Sequence, residues 1–354
     1  MTPRQAIIAL VFLLPMAAGA ATYLVDPAGG GDFLELPAAF MYAGSQDTVR
    51  LAPGTHVVGS GHVGWPITLG PYSPWVVGSE SRGASVLQGD GTTAAFYLPE
   101  DQVGAKMRFR GITFHGIGEL FDKESPSTDL HALLLFIDNT VEECGGWVAL
   151  DASECQNSGS LISGCTIRNN SGCGITVYHF FGTVEFNEVC HNGGTGIGGN
   201  CCEDPLIRFN HVHHNDGHGI RTTWRQKVED NIIEYNTGAG ISIYDGGTYL
   251  RNVIRGNQVG IRHWGVLGQI HENDIYGNEE YNIEFSEGYS FNKDLTMNWW
   301  GTTDPDEIAA GIWDCEDDPS VGICAVFDPW CTSPGCSGTA AEATSWGAIK
   351  WMFR

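Results

Sequence analysis

The sequence predicts an all-β solenoid: a parallel β-helix in which one chain winds into coils of about 22 residues and builds three short parallel sheets. Three observations predict it. First, a short polar-to-apolar step recurs along the chain: Asn139-Thr140-Val141, Cys165-Thr166-Ile167, Asn187-Glu188-Val189, Asn210-His211-Val212, Asn231-Ile232-Ile233, Asn252-Val253-Ile254 and Asn273-Asp274-Ile275. Second, Cys144, Asn170, Asn192, Asn215, Asn236, Asn257 and Asn278 follow at a constant offset. Third, a Gly-Ile step comes next at Gly174-Ile175, Gly196-Ile197, Gly219-Ile220, Gly240-Ile241 and Gly260-Ile261, with Asn282-Ile283 as a variant.

Short β-branched runs with alternating polarity read as strands, and Asn and Gly at fixed stations read as tight turns with left-handed conformations. Equivalent residues of successive coils then stack about 4.8 Å apart. The repeated asparagines are expected to form a hydrogen-bonded ladder. The columns Val141, Ile167, Val189, Val212, Ile233, Ile254, Ile275 and Ile175, Ile197, Ile220, Ile241, Ile261, Ile283 are expected to fill the interior. A third, less regular column is Val184, Ile207, Val228 and Ile270. No Leu-x-x-Leu-x-Leu frame is present, and the period is too short for a four-stranded propeller blade.

From the N-terminus, residues 1–20 read as a secretion signal: Arg4, then the apolar run Ala6 to Met16, then Ala18-Gly19-Ala20 as a small-residue cleavage site. The apolar run is too short to span a bilayer and Pro15 interrupts it, and no other segment is long and apolar enough. Residues 21–60 are assigned to an N-terminal cap and first coil, with Leu36 to Ala43 as a capping helix, and 61–298 to the solenoid. Residues 299–336 form a Cys-rich C-terminal cap, because open sheet ends need covering. The tail 337–354 ends in the apolar Trp346 to Arg354, which fits either docking on the cap or a signal.

Eleven cysteines fit an oxidising compartment. Sequence does not deduce the pairing, but short loops such as Cys315–Cys324 and Cys331–Cys336 fit bridges, and the spacing of these four is not a paired Cys-x-x-Cys metal pattern. Eighteen Lys+Arg against 42 Asp+Glu give a net charge of −24. That balance argues against nucleic acid and anionic membranes as partners, and against a polyuronate unless calcium or a local basic patch intervenes.

These residues resemble the right-handed parallel β-helix (pectin lyase-like) superfamily. Val25-Asp26-Pro27-Ala28-Gly29-Gly30-Gly31-Asp32-Phe33 is similar to its opening segment. Asp47 to Thr55 is similar to its first strand and turn, Arg110 to Phe114 to a common strand, and Asn298-Trp299-Trp300-Gly301 to a closing segment. The resemblance covers about residues 23–330 and speaks to fold, since the superfamily holds lyases, hydrolases, epimerases and adhesins.

After each Gly-Ile step, alternation turns outward Thr176 and Tyr178, Gly198 and Asn200, Arg221 and Thr223, Ser242 and Tyr244, Arg262 and Trp264, and Glu284 and Ser286. His179, Trp224, Arg225, Asp245 and Glu287 follow in the turn. One face thus gathers Arg221, Arg262 and Asp245 with Tyr178, Trp224, Tyr244 and Trp264. Aromatic platforms beside Arg and carboxylate suit sugar rings. The superfamily's lyases use an Arg or Lys as base, often with calcium on the uronate carboxylate. The resemblance therefore implies Arg221 or Arg262 as base, and Asp245 or Glu284 as holder of Ca2+. Gly217-His218-Gly219 matches one motif of the superfamily's pectin hydrolases, but their Asn-Thr-Asp, Asp-Asp and Arg-Ile-Lys motifs are not found in matching places. The Asp-Pro-His signature of alginate epimerases is absent too.

A second grouping lies on another strand pair. Glu188 and Cys190 face outward from one coil, and His211 and His213 take matching positions on the next, with His191 and His214 nearby. That quartet suits Zn2+ or Cu2+. Asp314, Glu316, Asp317 and Asp318 can bind calcium or form a solvated loop. The expected function is an exported or cell-surface monomer that binds, and in one version processes, extracellular polysaccharide on the Arg/aromatic face. A non-catalytic structural or adhesive protein and a uronate polysaccharide lyase stand as alternatives.

Overall fold

The computed structural model describes residues 20–336 except 60–63, 82, 100–101, 124–130, 154, 200–204, 224, 266–267 and 287–289. The proposed signal peptide, apart from Ala20, and the tail 337–354 lie outside the described residues. So do Trp224, Asn200 and Glu287.

The strands stack in parallel along three faces of a coil. The first sheet has 11 strands, from Thr22–Val25 to Gln269–His271, and the second has 10, from Gly54–Val57 to Asp274–Tyr276. The third face begins as a 3-stranded sheet, Ile67–Thr68, Phe96–Leu98 and Phe121–Lys123. It resumes as an 8-stranded sheet from Val148–Asp151 to Ile312–Trp313. Among the described residues no helix is long and apolar enough to cross a membrane.

The registers superpose the columns read from the sequence. Val141, Ile167, Val189, Val212, Ile233, Ile254 and Ile275 pair in succession on the second sheet. All seven are fully buried. Ile175 to Ile283 do the same on the third face, extended by Leu150 before them and Ile312 after. The irregular third column is completed by Tyr249, which sits between Val228 and Ile270 in register. Its ring is fully buried, and its hydroxyl lies 2.6 Å from Thr222 Oγ1 and donates to the Gly246 carbonyl at 3.1 Å. Truncating one such column residue to alanine costs about 2–5 kcal/mol.

Two buried asparagine ladders run beside these columns. In the first, Asn210 Nδ2 donates to Asn231 Oδ1 at 3.0 Å and to the Val184 carbonyl at 2.9 Å. Its own Oδ1 accepts from Asn187 at 3.0 Å. The second ladder runs Asn170, Asn192, Asn215, Asn236, Asn257 and Asn278 by the same scheme. Cys165 interrupts the first ladder and Cys144 begins the second, each still giving its N–H to the next asparagine at 2.9 Å.

The structure corrects where the left-handed residues lie. They are not the asparagines but the residues just before them: Phe186, Phe209, Asp230, Arg251 and Glu272 at one corner, His191, His214 and Tyr235 at another, all with φ between 52° and 59°. The ladder's hydrogen bonds over-determine the turn, so a β-carbon is tolerated there. The glycine of each Gly-Ile step is kept for another reason. At Gly219 a β-carbon would overlap Ile233 and the Asn236 amide of the next coil.

A helix spans Leu36–Tyr42, opened by Pro37, and buries Leu36 and Ala39 against the first strands. At the other end, both expected bridges are present as disulfides, Cys315–Cys324 and Cys331–Cys336. The region read as a cap also carries Ile312–Trp313, which extends the third face beside Ile283 and Glu284.

Candidate functional site

The outward row of the third face is set by register: Asp151, Thr176, Gly198, Arg221, Ser242, Arg262, Glu284 and Trp313 lie side by side in successive coils. Arg221 places its guanidinium carbon 4.7 Å from the centre of the Tyr244 ring. Tyr244 in turn stacks on Trp264, with centroids 6.0 Å apart and planes at 16°. Both rings are exposed, 41% and 45%. Ser242 lies between the two arginines, fully buried, and its Oγ has no hydrogen-bond partner. Arg221 Nε has none either.

His218 stands on the same strand edge as Arg221. Its Nδ1 accepts the Ala239 N–H at 3.0 Å, which places any ring proton of the neutral form on Nε2. Burial, followed by the charges of Arg262 and Arg221, holds its pKa below the ordinary histidine value. The stacking of coils brings His218, noted in the sequence only within Gly217-His218-Gly219, under the influence of both arginines.

Other predicted residues fall differently. Arg262 gives both Nε and Nη2 to Glu284 Oε2 at 2.8 Å. Glu284, which the resemblance offers as a holder of Ca2+, is thus the ion-pair partner of Arg262, which it offers as a base. Asp245 turns back to accept the Gly246 N–H at 2.9 Å. Tyr178 is half-buried on His179, with ring centroids 4.1 Å apart, and is not part of the Tyr244–Trp264 stack. Thr223, expected outward, is buried.

Along the same face, a groove of about 630 Å³ runs across the coils before Arg221, lined by residues from Pro66 to Gly172. Its floor is bare backbone: at Gly118, Gly145 and Gly172 a β-carbon would collide with the backbone of a neighbouring coil. Trp147 stands at its edge, 89% exposed. Glu119 and Asp122 line it. Desolvation, then the charges of Asp122 and Asp151, holds the Glu119 carboxyl above its usual range. Burial would raise Asp151 too, but Lys123 at 3.4 Å and bonds from Ser153 hold it below the ordinary value. Sequence reasoning missed this end, because the period is irregular before Asn170. Aligning Phe96 with Phe121, which pair in the structure, would have put Asp122 on the outward row beside Tyr97.

On the second sheet, Glu188 lies opposite His211 and Cys190 opposite His213. His191 and His214 join them from the left-handed corner. The acidic loop near the C-terminal end has a structural use. Asp314 accepts the N–H groups of Glu316 and Ala325 at 2.8 and 2.7 Å, Asp317 that of Asp314 at 3.2 Å, and Asp318 that of Ser320 at 2.8 Å.

The family described as "Right handed beta helix region" matches residues 151–298. Among solved structures, the chain is similar to the A-module of Azotobacter vinelandii mannuronan C-5 epimerase AlgE6. Identity is 16%, coverage 84% of this chain and 85% of that one, and TM-score 0.58. The AlgE4 A-module of the same organism gives 16% identity, 81% and 91% coverage, and TM-score 0.55. Pectate lyase Pel9A aligns at 12% identity over 93% and 82% of the two chains, with TM-score 0.48. No curated protein sequence matches the chain. At such identities the likeness is one of fold, and it agrees with the registers above: the chain is a right-handed parallel β-helix with the pectin lyase-like fold.

Proposed function

We propose that this is an exported protein that binds an acidic polysaccharide along its third face, with the chain lying parallel to the solenoid axis. The observation that carries the reading is the Arg221 end: a guanidinium laid over Tyr244, whose ring stacks on Trp264, with both rings exposed. A guanidinium suits a sugar carboxylate, and the rings suit the apolar faces of the sugars. Arg221 is a local basic feature on a chain of net charge −24, so the anion is received there by placement and not by overall charge. The polysaccharide-acting structures that share the fold are compatible with this reading. The signal-like residues 1–20 and the two disulfides support export.

Calorimetric titration with a panel of uronate and neutral oligosaccharides tests it. Acidic ligands should bind the native protein and bind Arg221→Ala far more weakly. Equal affinity for both proteins would sink the reading. Sequencing the N-terminus of protein recovered from outside an expressing cell should begin at Ala21.

A second reading, glycan cleavage, is favoured by one feature: the raised Glu119 carboxyl beside Asp122 and Asp151 in the groove, the setting in which a carboxylic acid donates a proton to a leaving oxygen. Release of reducing ends that disappears in Glu119→Gln would establish hydrolysis. Unsaturated products that need Arg221 and calcium would establish a lyase instead.

A further inference from the structure

We propose that the outer face of the second sheet binds one divalent transition-metal ion of the zinc class, held by Glu188, His211 and His213. This site is separate from the glycan-binding face and does not depend on it.

The strands Glu188–Cys190 and His211–His213 lie side by side in register, so all three side chains project from the same face. One ligand atom from each of the three lies within 4.8 Å of the others. His213 Nε2 is buried, has no hydrogen-bond partner, and stands 3.7 Å from Glu188 Oε1. The rings of His211 and His213 have centroids 4.0 Å apart. Two cation-capable rings this close beside a carboxylate form a poor packing arrangement but a ready donor set.

The supporting contacts are those a metal site needs. Glu234, one coil further on, lies 2.8 Å from His211 Nε2. Arg255 in turn fixes Glu234 at 2.8 Å. A carboxylate on one imidazole nitrogen sets the tautomer and angle of the ring and leaves the other nitrogen, Nδ1, for the ion. His213 is oriented similarly, with Nδ1 at 2.8 Å from His214 Nδ1. His214 comes from a left-handed corner at φ 53° and stacks on His191 at 5.1 Å. Both ligand rings are therefore held through the nitrogen that does not coordinate. Two imidazoles and one carboxylate select zinc, copper or nickel over calcium or magnesium, which take oxygen donors. Three protein ligands leave a fourth position for water.

A neighbouring set, Cys190, His191 and His213, also lies within 4.8 Å and shares His213. The experiment separates the two. The purified protein is stripped of metal, titrated with Zn2+ and, separately, with Co2+, and its visible spectrum recorded. About one equivalent of either ion should bind per chain, with a cobalt spectrum that lacks a thiolate charge-transfer band and is unchanged in Cys190→Ser. Glu188→Gln and His213→Ala should weaken binding 100-fold or more. Glu234→Gln should weaken it about 10- to 100-fold while leaving stoichiometry intact. His271→Gln, on the first sheet, should leave binding unchanged, and circular dichroism should show each variant folded. Absence of stoichiometric binding, or affinity unchanged in both Glu188→Gln and His213→Ala, overturns the site. A thiolate band that Cys190→Ser removes overturns the ligand assignment.

Discussion

The two ends of the third face differ in charge and chemistry although one repeat builds both. At the Glu119 end, carboxylates surround a glycine-floored groove with an exposed tryptophan. At the Arg221 end, an arginine lies over a tyrosine, and the next arginine is cancelled by Glu284. The backbone that positions each is interchangeable; the outward row is not. A β-helix thus separates its structural code, carried by inward residues and asparagine ladders, from its chemical code, carried by outward ones.

That separation can be broken at several points. The largest effect should come from the shared frame. Asn215→Ala removes bonds to Asn236 and to the Val189 carbonyl and leaves the Asn192 amide unanswered. It should lower unfolding free energy by about 3 kcal/mol, measured by urea denaturation. A loss below about 1 kcal/mol would show that the ladder is incidental.

Next in size, Arg221→Ala should weaken binding of an acidic oligosaccharide about 10- to 100-fold, the worth of a charge-assisted hydrogen bond. Glu119→Gln should leave that affinity unchanged or raise it, since it removes a negative charge from the same face. Equal losses at both ends would mean that the ligand does not distinguish them. Tyr244→Ala and Trp264→Ala should each cost about 3- to 10-fold in the same titration, in line with the worth of one aromatic contact. Salt should weaken acidic ligands and spare neutral ones, because an exposed charge pair is screened beyond about 8 Å at physiological ionic strength.

The smallest effect concerns pH. The folded-state pKa of Glu119 is raised above its unfolded value of 4.5. The folded chain therefore binds more protons in that window, and the contribution of Glu119 to stability falls as pH rises through it. Glu119→Gln should remove this dependence and match or slightly exceed the native Tm at neutral pH. Because the side chain is exposed, the change should stay within about 0.5 kcal/mol. A clear drop in Tm would assign the carboxylate a structural bond instead.

Periodicity alone was enough to identify the coil, its three columns and the asparagine ladders, because each depends on residue type at a fixed interval. Where the interval varied, legibility failed. The coils before Asn170 concealed Asp122, Asp151 and Trp147, and the third column was broken until Tyr249 was seen to fill it. Alternation put Arg221, Arg262 and Glu284 in one row, but it could not tell that Glu284 would bind Arg262 and leave Arg221 with Tyr244.

Linear order thus specified the winding, since a repeated inward residue has one place to go when the strand period is two and successive coils stack. Pairing between side chains was a matter of packing. It depends on rotamers and reach across coils, as with His211 reaching Glu234 on the next coil. Interactions between residues some twenty positions apart in the chain become nearest-neighbour contacts only once the solenoid is wound, and no local rule states which of several neighbours each long side chain will choose.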